Sequence, residues 1–210
     1  MARWHASAPS WSTNANRRSG TDNRTNLEFY RTEVERRCGI CLSDPLIYEA
    51  FTYYEREVLP YKNDDAINAH AMPGAHAALQ AVRDAGLRCA LFTNPSFPQG
   101  AIECRMGWGD LADAPFELVT HMGNATRCKP DATYYLEQLQ AMGLEPHEVL
   151  MVGNDPKRDF PSPACGIQTA YVGQGKPNRA TWRGTMEDFA RDFNAVVEAF
   201  YEHQIADELS

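Results

Sequence analysis

The stretch "VLMVGNDPKRDF", residues 149–160, decides how this chain is read. It opens on four apolar residues, Val149 to Val152, and then turns polar at Gly153-Asn154-Asp155, with Asp159 four positions further on. A short run of β-formers closed by Gly, Asn and Asp reads as a buried strand that ends in a turn. An apolar strand that delivers carboxylates at its C-terminal tip either holds something cationic or caps the next helix. Both readings stand for Asp155, which is followed by Pro156.

Outward from this strand the pattern alternates. Residues 72–86, "MPGAHAALQAVRDAG", predict a helix with Pro73 near its start and Gly86 past its end. "LRCALFTN" (87–94) predicts a buried strand, a polar and Gly-rich stretch follows, and "FELVTH" (116–121) predicts a second strand. "KPDATYYLEQLQAMG" (129–143) predicts a helix with Pro130 in its first turn and Gly143 at its stop. After the strand at 148–155, "PSPACG" predicts a short helix, "IQTAYVG" a fourth strand, and "TMEDFARDFNAVVEAFYEH" (185–203) a closing amphipathic helix. Helix and strand alternating at this spacing imply a Rossmann-like α/β fold, a parallel sheet layered between helices as α/β/α. Ligands of such sheets bind at the carboxyl ends of the strands.

Ahead of residue 72 the character differs. "LEFYRTEVERRCG" (27–39) places Leu27, Tyr30, Val34 and Cys38 near one face, with Gly39 at a helix end. "DPLIYEAFTYYEREVL" (44–59) opens on Asp44-Pro45, a good N-cap and first-turn pair. Together they predict a packed α-hairpin. Residues 1–24 hold no Leu, Ile, Val or Phe, cannot bury a core face, and are expected to be disordered. The expected organisation is therefore a leader over 1–24, a helical unit over 25–70 and an α/β core over 71–205.

Composition narrows the function. The 210 residues carry a formal net charge of -8, which argues against nucleic acid as the main partner. No apolar run approaches a membrane span of about 18 residues, and the six scattered cysteines do not form a secreted disulfide framework. A cytoplasmic location is expected. Cys38 and Cys41 form a CxxC, but no second ligand pair follows at zinc-finger spacing, so two ordinary thiols are the simpler reading. Oligomeric state is not legible.

Three strand or helix ends carry chemistry. Thr93-Asn94-Pro95 offers a hydroxyl, an amide and main-chain N–H groups, which suit a phosphate oxygen or a helix cap. Lys129 precedes Pro130 at the start of a helix, where partial positive charge disfavours it. It calls for a compensating anion, either a carboxylate or a bound phosphate. Asp155 and Asp159 offer oxygen ligands of the kind Mg²⁺ takes beside a phosphate. Their order, strand-Thr-Asn, Lys-Pro-helix, strand-Gly-Asn-Asp, sets a phosphate pocket beside a metal pocket on one rim.

In these motifs the chain resembles the haloacid dehalogenase (HAD) superfamily of hydrolases, most of them phosphatases. "LFTNPS" resembles its second motif, "RCKPDATYY" its third and "VGNDPKRDF…ACGIQTAYV" its fourth, over about residues 70 to 173. The resemblance implies that Thr93 and the Asn94 backbone hold the phosphoryl group and that Lys129 balances charge between phosphate and nucleophile. It implies that Asp155 ligates Mg²⁺, with Asp159 supporting it. It implies a small phosphorylated metabolite as substrate, hydrolysed through an aspartyl-phosphate, and it makes the helices at 26–59 part of a cap over the site.

One departure matters. The family's reaction begins with an Asp in a D-x-D-x-T pattern at the tip of an N-terminal strand, and these 210 residues carry none. Asp22 follows no strand and has no acid two residues on. In the family that strand lies between the strands here ending at Thr93 and Asp155. Its loss leaves two edges to be closed, by direct pairing or by residues 1–24. The expectation is a truncated or misread member with little turnover, or else a pseudoenzyme that binds phosphate or a partner. A response-regulator receiver uses similar groups, but it lacks the helical hairpin.

Overall fold

The computed structural model describes residues 15–16, 18–64, 67–175 and 179–208. Helix α1 (Asn26–Cys38) starts where Thr25 and Glu28 form a reciprocal capping box and stops at Gly39, whose φ of 67° is left-handed. α2 (Pro45–Tyr53) is capped by the Asp44 carboxylate, which accepts from the Leu46 and Ile47 N–H groups. It continues through a π-helical turn (Tyr54–Val58) and a 3₁₀ turn (Leu59–Lys62).

The two helices do not pack as the expected hairpin. They are anchored at separate places. α1 is tied at its first turn, where the N–H groups of Asn26 and Leu27 donate to the carbonyls of Ala125 and Met122. The continuation of α2 lies on α4 (Gln99–Trp108), where Trp108 Nε1 donates to the Pro60 carbonyl at 3.2 Å. Leu46 is left 77% exposed, and Tyr48, Phe51 and Tyr53 are exposed with it.

The core alternates as expected. α3 (Ala75–Asp84) leads to β1 (Ala90–Leu91), α4 leads to β2 (Leu118–Val119), and α5 (Ala132–Met142) leads to β3 (Leu150–Gly153). A 3₁₀ turn at Pro163–Cys165 precedes β4 (Gln168–Val172), then β5 (Trp182–Gly184), α6 (Met186–Arg191) and α7 (Phe193–Glu208). The single closing helix expected over 185–203 is thus two, broken at Asp192, whose φ of -96° and ψ of 14° leave the helix. α5 begins at Ala132 with Asp131 as its cap, so Pro130 stands before the helix rather than in its first turn.

All strand pairs are parallel, in two sheets of order β1-β2 and β3-β4-β5. Alternation along β3 sends Met151 to one face, against Tyr134, Tyr135 and Leu139 of α5. Leu150 and Val152 face the other way, toward Ala78 of α3, Phe189 of α6 and Val196 of α7. The α/β/α layering and the Rossmann-like architecture follow from this.

The two sheets do not close on each other. Among the described residues no strand pairs with the free edges of β1 and β3. Direct pairing, one of the two closures considered from sequence, is therefore absent. Of the leader expected to be disordered, residues 15–16 and 18–24 are placed against the core, with Ala15 fully buried and the Asn16 side chain bonded to the Cys128 backbone. Residues 1–14 and 17 lie outside the described residues.

Candidate functional site

β1, β2 and β3 all point their C-terminal ends at one rim, and the groups singled out from sequence collect there. Lys129 is the hub. Its ammonium donates to the Phe92 carbonyl at the end of β1 (2.9 Å) and to Asp159 Oδ1 in the loop after β3 (2.6 Å). The Lys129 side chain is 8% exposed and that of Asp159 13% exposed. The compensating anion that Lys129 calls for is thus a carboxylate of the same chain. The pair ties the two sheets together across the open edges. An ammonium has three donors, and among the described residues two are engaged.

Asp159 does more than neutralise Lys129. Its Oδ2 accepts from the N–H groups of Asn154 (3.1 Å) and Asp155 (2.9 Å), so the carboxylate shapes the turn that ends β3. Gly153 makes room for it: a Cβ there would stand 2.8 Å from Asp159 Oδ2 and 2.9 Å from its Cγ. The strand tip at 149–160 therefore holds something cationic, and that something is Lys129.

Asp155 is the open member. Its side chain is 44% exposed, Oδ1 accepts from the Lys157 N–H at 3.0 Å, and Oδ2 lies 3.5 Å from Arg158 Nε. Thr93 is turned toward β2. Its N–H donates to Thr120 Oγ1 (2.8 Å) and its hydroxyl donates to the Thr120 carbonyl (2.7 Å). Beside it, the buried side-chain oxygen of Asn94 has no hydrogen-bond partner among the described residues. Thr93 and Lys129 share the rim with Asp155; among the described residues Asp159 is bonded both to the Lys129 ammonium and to the Asp155 N–H, whereas the side chain of Thr93 is turned to Thr120.

The donor set for a divalent cation is incomplete. Both oxygens of Asp159 are taken, one by an ammonium and one by two N–H groups. Asp155 alone offers a carboxylate to a metal, and among the described residues no cluster of three or more His, Cys, Asp or Glu side chains could hold one. The Mg²⁺ site expected from Asp155 and Asp159 together is not built by these residues. The physical reason is that the Lys129 charge claims Asp159.

Two residues that hold the rim escaped the sequence reading. Tyr134 donates its hydroxyl to the Thr93 carbonyl at 2.7 Å, and Tyr135 donates to the carbonyls of Asp159 (2.7 Å) and Arg158 (3.0 Å). Both are buried, which pushes both phenols well above their ordinary pKa and keeps them as donors. The signal was the adjacent pair one turn into the helix that follows Lys129-Pro130. His121, just past β2, was missed as well. Its Nδ1 accepts from the Gly123 N–H at 3.0 Å, and burial lowers its pKa, which favours the neutral ring.

Comparison with known proteins bears on family and fold. A family model described as haloacid dehalogenase-like hydrolase matches residues 17–165. The phosphoglycolate phosphatase of Rhodospirillum rubrum is 30% identical over 115 residues, 55% of this chain and 46% of that protein. The phosphoglycolate phosphatase of Nitrosospira multiformis is 25% identical over 157 residues, 75% of this chain and 64% of that protein. This chain therefore spans about half to two thirds of the length of these relatives. In fold it is similar to the β-phosphoglucomutase of Clostridium difficile, with a TM-score of 0.55 at 14% identity, over 86% of this chain and 79% of that one.

Proposed function

This chain belongs to the haloacid dehalogenase-like hydrolases, and on that premise we propose that its rim binds the phosphate group of a small phosphorylated metabolite. The observation that carries the reading is Lys129. A nearly buried ammonium, braced by the Phe92 carbonyl and Asp159, keeps one N–H for a ligand. A charge-assisted bond from that N–H to a phosphate oxygen is strong because the group is already desolvated and oriented. The Asn94 main-chain N–H supplies a second donor. The Thr93 hydroxyl supplies a third after turning from the Thr120 carbonyl. The helices over 25–70 stand as a partial cap beside the core at 71–205, and the names of the relatives make phosphoglycolate a reasonable first ligand.

Hydrolysis needs an attacking group. Among the described residues no strand precedes β1, so none ahead of it delivers an Asp to attack phosphorus. The reading is therefore binding with little turnover by these 210 residues. Asp155 is where a cation would be met, but one carboxylate does not make its site, and no step is assigned through Mg²⁺.

The test pairs two assays on the purified chain. Calorimetry with inorganic phosphate is expected to show binding. Hydrolysis of p-nitrophenyl phosphate and phosphoglycolate, with and without Mg²⁺, is expected to stay near background. Mg²⁺-dependent turnover lost in Asp155→Asn would overturn the argument from the missing nucleophile. Absence of both binding and turnover would overturn the phosphate reading itself.

A further inference from the structure

The segment just ahead of α1 and the first residue of that helix reach both loops of the rim through two asparagines, Asn16 and Asn26. Asn16 makes a two-pronged contact with Cys128, the residue before Lys129: Nδ2 donates to the Cys128 carbonyl at 2.8 Å, and Oδ1 accepts from its N–H at 2.7 Å. Asn26 is fully buried. Its Nδ2 donates to the Arg127 carbonyl at 2.9 Å and to the Pro95 carbonyl at 3.3 Å, and lies 3.6 Å from Cys128 Sγ. One carboxamide thus spans the loop after Asn94 and the loop before Lys129.

The rest of the segment braces these contacts. Asn26 Oδ1 accepts from the Arg18 guanidinium at 2.9 Å. Arg127, buried, donates to the carbonyls of Ser19 (2.9 Å) and Asp22 (3.1 Å). Arg18 in turn donates to the carbonyls of Ala15 and Arg24 at 2.9 Å. Two guanidiniums are spent on main-chain carbonyls of one short segment, which holds its turn shape. Each amide group of Asn26 is satisfied, as a buried carboxamide requires.

We propose that Asn16 and Asn26 are positioning residues for the phosphate site, a clamp that sets the Lys129 ammonium at its working distance from the Asn94 loop. This rests on the phosphate-binding reading above. The clamp acts through the backbone at Pro95, Arg127 and Cys128 and does not touch the ligand. Misplacing a charged donor by about 1 Å is enough to lose most of its contribution.

Asn26→Asp is the sharpest variant. It keeps the shape and the acceptor toward Arg18 but deletes both N–H donors. Asn16→Ala is the second variant should the first fail to fold, and Leu139→Ala, in the core behind α5, is the control for lost stability. The expected result is inorganic phosphate affinity weakened about tenfold or more in each asparagine variant, with affinity in Leu139→Ala unchanged despite its lower melting temperature. A second readout needs no ligand: the fall in melting temperature caused by Lys129→Met is expected to be smaller in an asparagine-variant background, because the Lys129–Asp159 pair is already loosened. Phosphate affinity equal to the parent chain in both asparagine variants, or an undiminished Lys129→Met effect in their background, overturns the clamp. Absence of phosphate binding by the parent chain would instead overturn the functional reading, and the melting-temperature arm would still decide the clamp.

Discussion

Replacing Lys129 by Met tests the hub of the rim. Met keeps most of the length and apolar surface of the stem and removes only the ammonium. Asp159, 13% exposed in its side chain, is then left as a carboxylate without its counter-charge. Breaking one side of a buried pair costs about 3–5 kcal/mol. Asp159 keeps the Asn154 and Asp155 N–H groups, which places the cost near the lower end, about 3 kcal/mol. For a chain of this size, each 1 kcal/mol moves the melting temperature by about 2–4 °C, so the fall should be about 6–12 °C. Adding Asp159→Asn removes the orphaned charge while an amide oxygen still accepts from the turn. The double variant should recover part of the loss, a coupling of about 1–3 kcal/mol. Thermal and urea denaturation followed by circular dichroism measure both. Lys129→Met within about 0.5 kcal/mol of the parent chain, in the range of ordinary surface substitutions, would refute the claim that the pair joins the two sheets.

Further expectations follow from the same geometry. Gly153→Ala drives a methyl into Asp159 and should cost about 1–3 kcal/mol, with phosphate affinity falling alongside stability; an unchanged urea midpoint would show that the turn relaxes freely. Tyr135→Phe deletes the hydroxyl that donates to the Asp159 carbonyl at 2.7 Å and should cost about 1–2 kcal/mol without changing core volume, read in the same unfolding assay. Cys128 is buried, which pushes its thiol up from 9.0 to about 11. The unfolded chain therefore loses this proton first, so the contribution of this thiol to stability is complete below pH 9 and falls as pH rises toward 11. Iodoacetamide at pH 8 should label Cys38 and Cys41 quickly and Cys128 only on unfolding, as peptide mass spectrometry would report. His121, its pKa lowered by burial, should titrate by NMR below the ordinary value of 6.5. The stability it contributes is present above that value and is lost as pH falls.

Much of the fold was legible because local signals and burial agree. Gly39, Asp44 with Pro45, and Gly143 each mark a helix end that is observed. β3 was plain because its residues are apolar on both faces, as a sheet covered twice requires. What was not legible depends on distant partners. α4 was hidden because Gly100 and Gly107, both poor helix formers, interrupt the segment. The hairpin expected from α1 and α2 failed because each helix is anchored to a different part of the core, which periodicity does not reveal. The placed part of the leader is held by Asn, Arg and main-chain groups, and such contacts leave no hydrophobic pattern to read.

The site was legible in its members and less so in their partners. Sequence order brought Thr93, Lys129, Asp155 and Asp159 to one rim. It did not reveal that Asp159 would bind the ammonium and the turn at once, since a carboxylate four positions after Asp155 reads equally well as a metal ligand. Thr120, which takes both polar groups of Thr93, sits at the end of β2, where a buried Thr looks like an ordinary strand residue.

The central claim is that Lys129 presents a braced, desolvated N–H to phosphate at the rim between the two sheets. Titrating inorganic phosphate into the ¹⁵N-labelled chain, and into Lys129→Met, tests it most directly. The account predicts saturable amide shifts concentrated at Thr93, Asn94, Lys129 and Asp155 that disappear in Lys129→Met while the fold persists. Shifts spread over exposed Arg and Lys residues, or the same rim shifts in Lys129→Met, would contradict it.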